Sequence, residues 1–310
     1  MRNKYSQDPN FVRTKKSKKA IIYSTLYYIV GTTLSLAFIL PLLYMFAAST
    51  KSRDGVIQSY GTVMMFIPDF GSTSMFGENY ALIFGKYDIW KYALNTIAYA
   101  GVVIVFNTLV NGLAGYVLAK FHFPAKGFFS FIILFLIVVP VETSILPLYS
   151  IVTEMLQLNA YNGLSVVGVV LPSMISVFNI FLFTQFFSSI PKEYEEAMHI
   201  DGANRFRMFF DLILPLSKPI VATTAVFTFI GVWNDYLWPS MVLPEPEAGV
   251  DTWPVLSLQF ALTSIQSGDS MITAGQVMAA LVVASLPIFI VYVLAQKYIV
   301  KGFGTAGLKM

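Results

Sequence analysis

Two carboxylates stand inside long apolar segments of this sequence, Glu142 in VVPVET and Asp235 in GVWNDYLWP. A charge at membrane depth is costly and usually faces a cavity or a partner, so both residues are candidates for a translocation path. Ion coupling is the chemistry that such carboxylates permit, although no intramembrane His, Lys or Arg accompanies them. Interfacial carboxylates wetted from outside the membrane explain the same pattern equally well.

Amide and aromatic side chains occur in the same region as Asp235. Asn179, Trp233 and Asn234 would suit a sugar, because rings stack on its C–H face and amides bind its hydroxyl groups. Trp and Tyr also mark membrane interfaces, and we assign that role to Trp238. Asn179 is equally suited to hydrogen bonding between helices. The residues predicted to line a translocation path are Glu142, Asn179, Trp233, Asn234 and Asp235.

The polar stretch from Pro191 to Pro219 lies between two apolar segments and has a helical pattern of its own. Three carboxylates follow Pro191, where the positive end of a helix dipole favours them, and Asp201-Gly202 then breaks this first helix. A second helix follows and ends at Pro215, with one apolar face. That face is predicted to contain Phe206, Phe209, Phe210, Ile213 and Leu214. Two short helices of this kind predict a docking element on the surface of a membrane protein.

The sequence offers no catalytic or metal-binding constellation. It has no cysteine, which excludes disulfides and thiolate chemistry, and its two histidines, His122 and His199, have no flanking ligand pattern. The closing GFGTAGLKM has the glycine spacing of a phosphate-binding loop, but Leu308 stands where the lysine is required. We therefore expect no catalytic residue, no metal and no cofactor in this chain, so any ATP hydrolysis must occur in another protein.

Composition predicts an all-α, polytopic membrane protein. The 310 residues are 56% hydrophobic and only 12% charged. Six apolar segments can each supply the roughly 20 helical residues that cross a hydrocarbon core. Helices are expected because backbone groups in lipid must be satisfied within their own segment. The predicted spans are 21–47, 92–118, 128–150, 163–187, 219–243 and 273–296.

The distribution of basic residues predicts the orientation. Sixteen of the twenty Lys and Arg fall on the side of the amino terminus, which places both termini in the cytoplasm. Two long connections, 48–91 and 244–272, then lie outside. The basic start precedes an apolar span without a small-residue cleavage site, which indicates a retained first helix. Prolines are expected to interrupt the spans at Pro41, Pro140, Pro147, Pro172, Pro239 and Pro287.

The spacing EAM-x3-G-x9-L-x-LP, from Glu196 to Pro215, resembles the EAA loop in the membrane subunits of ABC importers. The wider text EYEEAMHIDGANRFRMFFDLILPLSKP resembles the version found in carbohydrate importers of the maltose type. Further pieces agree in order, and the likeness covers most of the chain after about residue 30. They are NYALIF, AKFHFPAKG, IVVPVETSILPLYSIV, GVWNDYLWP and QKYIVKGFGTAGLKM. Two small departures are Met198 at the second alanine position and Leu212 at the usual isoleucine position.

The resemblance implies a type I ABC importer transmembrane domain with several partners. These are a second related permease, two ATP-binding subunits that hold ATP and Mg, an extracytoplasmic substrate-binding protein and the lipid bilayer, without nucleic acid. It also implies that one helix of the loop inserts into a cleft of the ATPase, where Glu196 can pair with a basic residue. The residues assigned to this coupling are Glu196, Ala197, Met198, Asp201 and Gly202.

The predicted organisation has four parts. A basic cytoplasmic tail (1–20) precedes the first helix and its outer loop (21–88), the importer core (89–297) contains the coupling loop 191–218, and a cytoplasmic tail (298–310) follows. The expected function is a permease subunit for a sugar or small oligosaccharide, in the cell membrane of a bacterium or archaeon. Glycerol 3-phosphate or another polar metabolite is the alternative substrate. An ion-coupled secondary transporter and a membrane receptor without transport are the alternatives of other classes.

Overall fold

The computed structural model describes residues 18–87, 89–158, 164–243, 258–259, 262 and 272–306, and these residues form helices without a strand. Residues 1–17 of the basic tail, most of the outer connection 244–272 and residues 307–310 lie outside the described residues. The described helices are α1 (Lys18–Ser49), α2 (Arg53–Ser59), α3 (Phe76–Gly85), α4 (Ile89–Lys120), α5 (Lys126–Val138), α6 (Ile145–Ser150), α7 (Ser165–Ser173), α8 (Val177–Ser188), α9 (Glu193–Ile200), α10 (Arg205–Met208), α11 (Leu214–Leu216), α12 (Lys218–Asn234), α13 (Leu237–Val242) and α14 (Ala274–Ala306). Short 3-10 turns span Val63–Phe66 and Val141–Ser144, and wider π turns span Ile151–Met155 and Phe209–Ile213.

Four of these helical segments are long and apolar enough to cross a membrane, and six spans result if each of two bent helix pairs counts as one. The prediction of an all-α polytopic membrane protein is therefore confirmed. The cytoplasmic placement of both termini stays a prediction, because it depends on the distribution of Lys and Arg rather than on the fold.

The first and last spans are continuous helices. Pro41 lies within α1 and Pro287 lies within α14, so the predicted interruptions at these two positions are wrong. A proline removes one backbone hydrogen bond, and a long membrane helix tolerates that loss when its other backbone groups remain bonded. Helix α14 continues to Ala306, so the predicted boundary between the last span and a tail at residue 298 falls inside a helix.

The third predicted span, 128–150, is sharply bent. Helix α5 and the segment Val141–Met155 meet at 100°. Pro140 lies at the bend, and Val139 before it is extended, with ψ of 122°. The proline ring disfavours a helical residue in front of it, which accounts for the break. The predicted interruption of this span at Pro140 is therefore confirmed.

Two further predicted spans are broken once. The break between α7 and α8 is bridged by Asn111, whose amide nitrogen donates to the Met174 carbonyl at 3.2 Å and whose amide oxygen accepts from the Ser176 N–H at 3.2 Å. The break between α12 and α13 falls between Asn234 and Leu237. Backbone groups freed inside a bundle must find such side-chain partners, because lipid offers none.

Helix α4 lies at the centre of the bundle and packs most extensively against α8. At Gly115 an added Cβ would lie 2.6 Å from the Phe183 Cβ and 3.1 Å from the Thr184 nitrogen. The absence of a side chain therefore allows the two backbones to approach closely. Buried residues at the end of the bundle nearest the polar loop form one cluster: Tyr116, Phe183, Phe187, Phe209, Ile213 and Ile220.

The segment between α1 and α4 is folded against the end of α1 and the start of α14. The Lys51 ammonium is buried and donates to the Met64 carbonyl at 2.6 Å, and burial lowers the pKa of Lys51. The Asn79 amide donates to the Ser49 carbonyl at 2.9 Å and to the Lys51 carbonyl at 3.2 Å. At Gly275 in α14 an added Cβ would clash with that same Lys51 carbonyl. The end of the first helix and the start of the last helix are therefore joined.

Candidate functional site

The first helix of the polar loop, α9, begins and ends as the sequence indicates. Glu193, Glu195 and Glu196 lie in its first turn, and the helix ends at Ile200. Gly202 has φ of +75°, and an added Cβ there would meet nothing within 4 Å. The backbone conformation, rather than lack of space, therefore favours glycine at this turn. The predicted break at Asp201-Gly202 is confirmed.

The second helical part begins at Asn204, whose side chain accepts a hydrogen bond from the Arg207 N–H at 2.8 Å. The predicted apolar face is only partly right. Phe209 and Ile213 are buried, but Phe206 is 69% exposed and Phe210 is also exposed. The π turn that follows α10 adds a residue to one turn, which shifts the register and turns different side chains towards the bundle.

One side of the polar loop is exposed and combines apolar groups with a carboxylate. Ile200 is 86% exposed, and Glu196 and Ala197 beside it are exposed as well. We call this side the docking face; it consists of Tyr194, Glu196, Ala197, Ile200 and Phe206. An exposed apolar patch with a charge on a short, capped helix is the chemistry of a protein–protein contact. Of the other residues assigned to coupling, Met198 is partly buried, while Asp201 and Gly202 are exposed at the turn.

The opposite side of α9 carries a charge that the sequence pattern did not single out. The Glu195 side chain is 11% exposed, and its carboxylate lies 2.8 Å from the Lys120 ammonium at the end of α4. The Arg205 guanidinium is 3.7 Å from the other carboxylate oxygen. Lys120 also donates to the Ile190 carbonyl at 2.6 Å. A lone lysine ending a long apolar helix was the only sequence signal for this contact.

The residues predicted to line a path do not share one environment. Glu142 is exposed in the 3-10 turn after the bend, and Asn234 is exposed at the end of α12. Asp235 is partly buried, and its carboxylate accepts a hydrogen bond from the Trp238 N–H at 3.2 Å, which caps α13. Asp235 therefore has a structural partner within its own chain, while Glu142 and Asn234 present polar atoms at the surface of the protein.

Trp233 and Asn179 are inside the bundle and have hydrogen-bond partners on neighbouring helices. Trp233 is 0% exposed, and its indole N–H donates to the Ala284 carbonyl at 2.9 Å. The Asn179 amide donates to Asn107 at 2.8 Å and to Thr228 at 3.0 Å. These bonds connect α4, α8, α12 and α14, which is the alternative of hydrogen bonding between helices.

Trp238 is also a packing residue rather than an interfacial one. It is buried, and its indole N–H donates to the Gly168 carbonyl of α7 at 3.2 Å. The interfacial role expected for it is therefore wrong. The hydrogen bond to a backbone carbonyl satisfies the one polar atom of the ring, which is what burial of a Trp side chain requires.

A cavity of about 700 Å³ lies between α4, α11 and α12. Thr108 and Lys218 supply polar atoms to its wall, while Pro215, Ala222 and Ala225 contribute apolar surface. The cavity adjoins the polar loop, and none of the residues predicted for the path lines it. The small residues along α12 leave the space, and no sequence motif marked them.

Similarity to known proteins agrees with these features. The family described as "Binding-protein-dependent transport system inner membrane component" matches residues 111–304, which is more than half of the chain and includes the polar loop. The chain belongs to this family. It is therefore a multi-pass inner-membrane transport permease, and the match contains both the docking face and the buried Glu195.

Two curated relatives match this permease over nearly its whole length, and a third matches about two thirds of it. The sn-glycerol-3-phosphate transport system permease protein UgpE of Pectobacterium atrosepticum is 33% identical over 293 residues, covering 91% of this chain and 95% of the relative. The arabinooligosaccharides transport system permease protein AraQ of Halalkalibacterium halodurans is 28% identical over 295 residues, covering 95% of this chain and 99% of the relative. The UgpE protein of Yersinia pestis is 34% identical over 209 residues, covering 67% of this chain and 70% of the relative.

Proposed function

We propose that this permease is one subunit of an ATP-driven ABC importer and forms half of the translocation path for a sugar or small oligosaccharide. The observation that carries the proposal is the docking face. A short helix, terminated by a glycine turn and fixed to the bundle from behind, presents Glu196, Ala197 and Ile200 to the side away from the bundle. A membrane protein without a soluble partner would gain nothing from exposing these apolar residues.

The partners follow from the same proposal. Two ATP-binding subunits supply ATP and Mg, so this chain itself holds no cofactor and hydrolyses nothing. A second, related permease completes the path, and an extracytoplasmic binding protein delivers the substrate. ATP binding would draw the two docking loops together and favour one of two access states of the bundle.

The substrate assignment has its support in the relatives and in the exposed polar groups. One relative is named for arabinooligosaccharides, and Asn234 and Glu142 offer amide and carboxylate oxygens to hydroxyl groups. With Trp233 and Asn179 engaged inside the bundle, we assign the path contacts of this chain to Glu142, Asn234 and Asp235. Another relative is named for sn-glycerol 3-phosphate, so the test of substrate includes that compound.

The test has two stages. First, the tagged chain is extracted gently from its native membrane, and the proteins that purify with it are identified; a second multi-span protein and an ATPase are expected. Second, the assembly is reconstituted in liposomes with the external binding protein, and ATP-dependent uptake of radiolabelled arabino-oligosaccharide, maltose and glycerol 3-phosphate is compared. Uptake by the purified chain alone without ATP would instead establish a secondary transporter.

A further inference from the structure

Two neighbouring carboxylates of α9 point in opposite directions. Glu196 is exposed on the docking face, whereas the Glu195 side chain is 11% exposed and faces the end of α4. The first carboxylate is available to a partner protein. The second is already committed to Lys120, whose side chain is 5% exposed.

The contacts of Lys120 and Arg205 join three parts of the chain. The Lys120 ammonium lies 2.8 Å from one Glu195 oxygen and donates to the Ile190 carbonyl at 2.6 Å. Arg205 begins the next helix, and its guanidinium lies 3.7 Å from the other Glu195 oxygen and 5.2 Å from the centre of the Phe121 ring. The end of α8, the start of α9 and the start of α10 are thus all tied to the end of α4.

A charge pair this deeply buried fixes geometry. Each ion loses water when it is buried, so removing one partner leaves the other uncompensated and forces the surroundings to rearrange. The exposed pair Arg207–Asp211, at 3.2 Å, has the same chemistry without the burial and is expected to contribute little. The difference between the two pairs lies in burial.

Helix α4 can carry a displacement of the loop through the bundle. It spans Ile89–Lys120, and its Asn107 and Asn111 are bonded to α8 and to the break before α8. A force applied to α9 therefore reaches Asn107 and Asn111, in the middle of the bundle, through one continuous helix.

We propose that Glu195 is a positioning residue which, through Lys120, makes α9 and the end of α4 a single rigid body. This rigid body transmits the ATP-driven movement of the ATPase subunits to α4. The inference rests on the proposed function, because it needs an ATPase on the docking face. The docking face receives the force, and the Lys120–Glu195 ion pair passes it to α4.

The experiment uses the full assembly in nanodiscs, with partner subunits freed of cysteine, and exploits the lack of native cysteine in this chain. Spin labels at His122→Cys and His199→Cys, exposed residues just beyond α4 and in α9 off the docking face, report the distance across the ion pair. In this labelled parent we expect a narrow distance distribution that is the same without nucleotide and after trapping with ATP and vanadate. Adding Glu195→Gln or Lys120→Met is expected to broaden it, and combining the two is expected to broaden it no further.

A second measurement tests whether the nucleotide state of the ATPase changes the bundle far from the ion pair. Tyr236 is exposed beyond α12, and the variant Tyr236→Cys is labelled with a water-soluble maleimide. The rate of this labelling reaction is expected to change on nucleotide trapping. With Glu195→Gln this nucleotide response is expected to be lost although the ATPase still purifies with the assembly. Asp211→Asn, which breaks the exposed ion pair, is the matched control and is expected to leave both readouts unchanged.

Defined outcomes overturn the inference. An unchanged distance distribution in Glu195→Gln shows that the ion pair does not hold α9, and a retained maleimide response shows that it does not transmit. If the single variants fail to assemble, the exchanged pair Lys120→Glu with Glu195→Lys decides: a narrow distribution supports the inference and a broad one refutes it. Absence of any ATPase from the parent assembly refutes the proposed function instead, while the distance measurement still tests the ion pair.

Discussion

The contact between α4 and α8 predicts opposite effects for the same substitution at two glycines of α4. At Gly115 an added Cβ would stand 2.6 Å from the Phe183 Cβ, whereas at Gly101 it would meet nothing within 4 Å. Both residues lie in the same long helix, so local helix preference is matched. The difference between the two alanine variants therefore isolates the close approach of the helices.

The magnitude follows from the distances. Ordinary van der Waals contact begins at 3.4 Å, so α8 would have to retreat by about 0.8 Å to accept Gly115→Ala. Overpacking of this kind costs about 1–3 kcal/mol. Gly101→Ala has no such contact and gains about 0.5–1 kcal/mol from the better helix propensity of alanine.

Thermal unfolding of the purified assembly measures both effects. With a shift of roughly 2–4 °C per kcal/mol, Gly115→Ala is expected to lower the Tm by several degrees and Gly101→Ala to leave it unchanged or raise it slightly. A Tm for Gly115→Ala equal to or above that of the parent would refute the packing of α4 on α8 described above.

Three further predictions concern the loop and the core. Glu196→Lys is expected to leave the protein inserted while uncoupling transport from ATP hydrolysis, because it reverses the charge on the docking face; uptake and hydrolysis measured on the same vesicles check this. Gly202→Pro is expected to reduce transport more than Gly202→Ala, because alanine at φ of +75° costs about 1–2 kcal/mol, whereas proline cannot adopt that angle and loses the N–H bond to the His199 carbonyl. Trp233→Phe is expected to lower stability by about 0.5–1.5 kcal/mol through the lost bond to Ala284, with unchanged substrate affinity in a binding assay.

Matched variants control the first and last of these predictions. Asp211→Lys reverses the charge of an exposed carboxylate of the polar loop outside the docking face, and normal coupling is expected. Trp90→Phe changes an exposed ring and is expected to leave the Tm unchanged. Full transport by Glu196→Lys at normal expression would contradict the docking role, and weaker substrate binding by Trp233→Phe at full stability would return that residue to the path.

The presence of several membrane spans and the break in the polar loop followed from local chemistry. Apolar length alone identifies a membrane helix, and a glycine after a run of carboxylates identifies the turn at Gly202. Both features are encoded within a few consecutive residues. The family likeness, carried by the ordered motifs around Glu196, also held, and it gave the transport function that composition could not.

The burial of individual side chains did not follow from the sequence. In a membrane protein both the lipid and the core are apolar, so hydrophobic pattern does not tell which face of a helix lies inside. Trp233 and Asn179 were therefore assigned to a path although they pack the bundle. The partner of Glu195 was equally hidden, because Lys120 comes near it only after α4 and α8 have packed.

The joint between the first and last helices has a consequence for biosynthesis. Ribosomes release the amino-terminal end first, yet the Lys51 carbonyl is covered by Gly275 of α14. Until translation has passed Gly275, the carboxyl-terminal end of α1 lacks this neighbour, so the joint forms only late in synthesis. A chain truncated before Gly275 therefore loses a packing contact of its first helix as well as its last span.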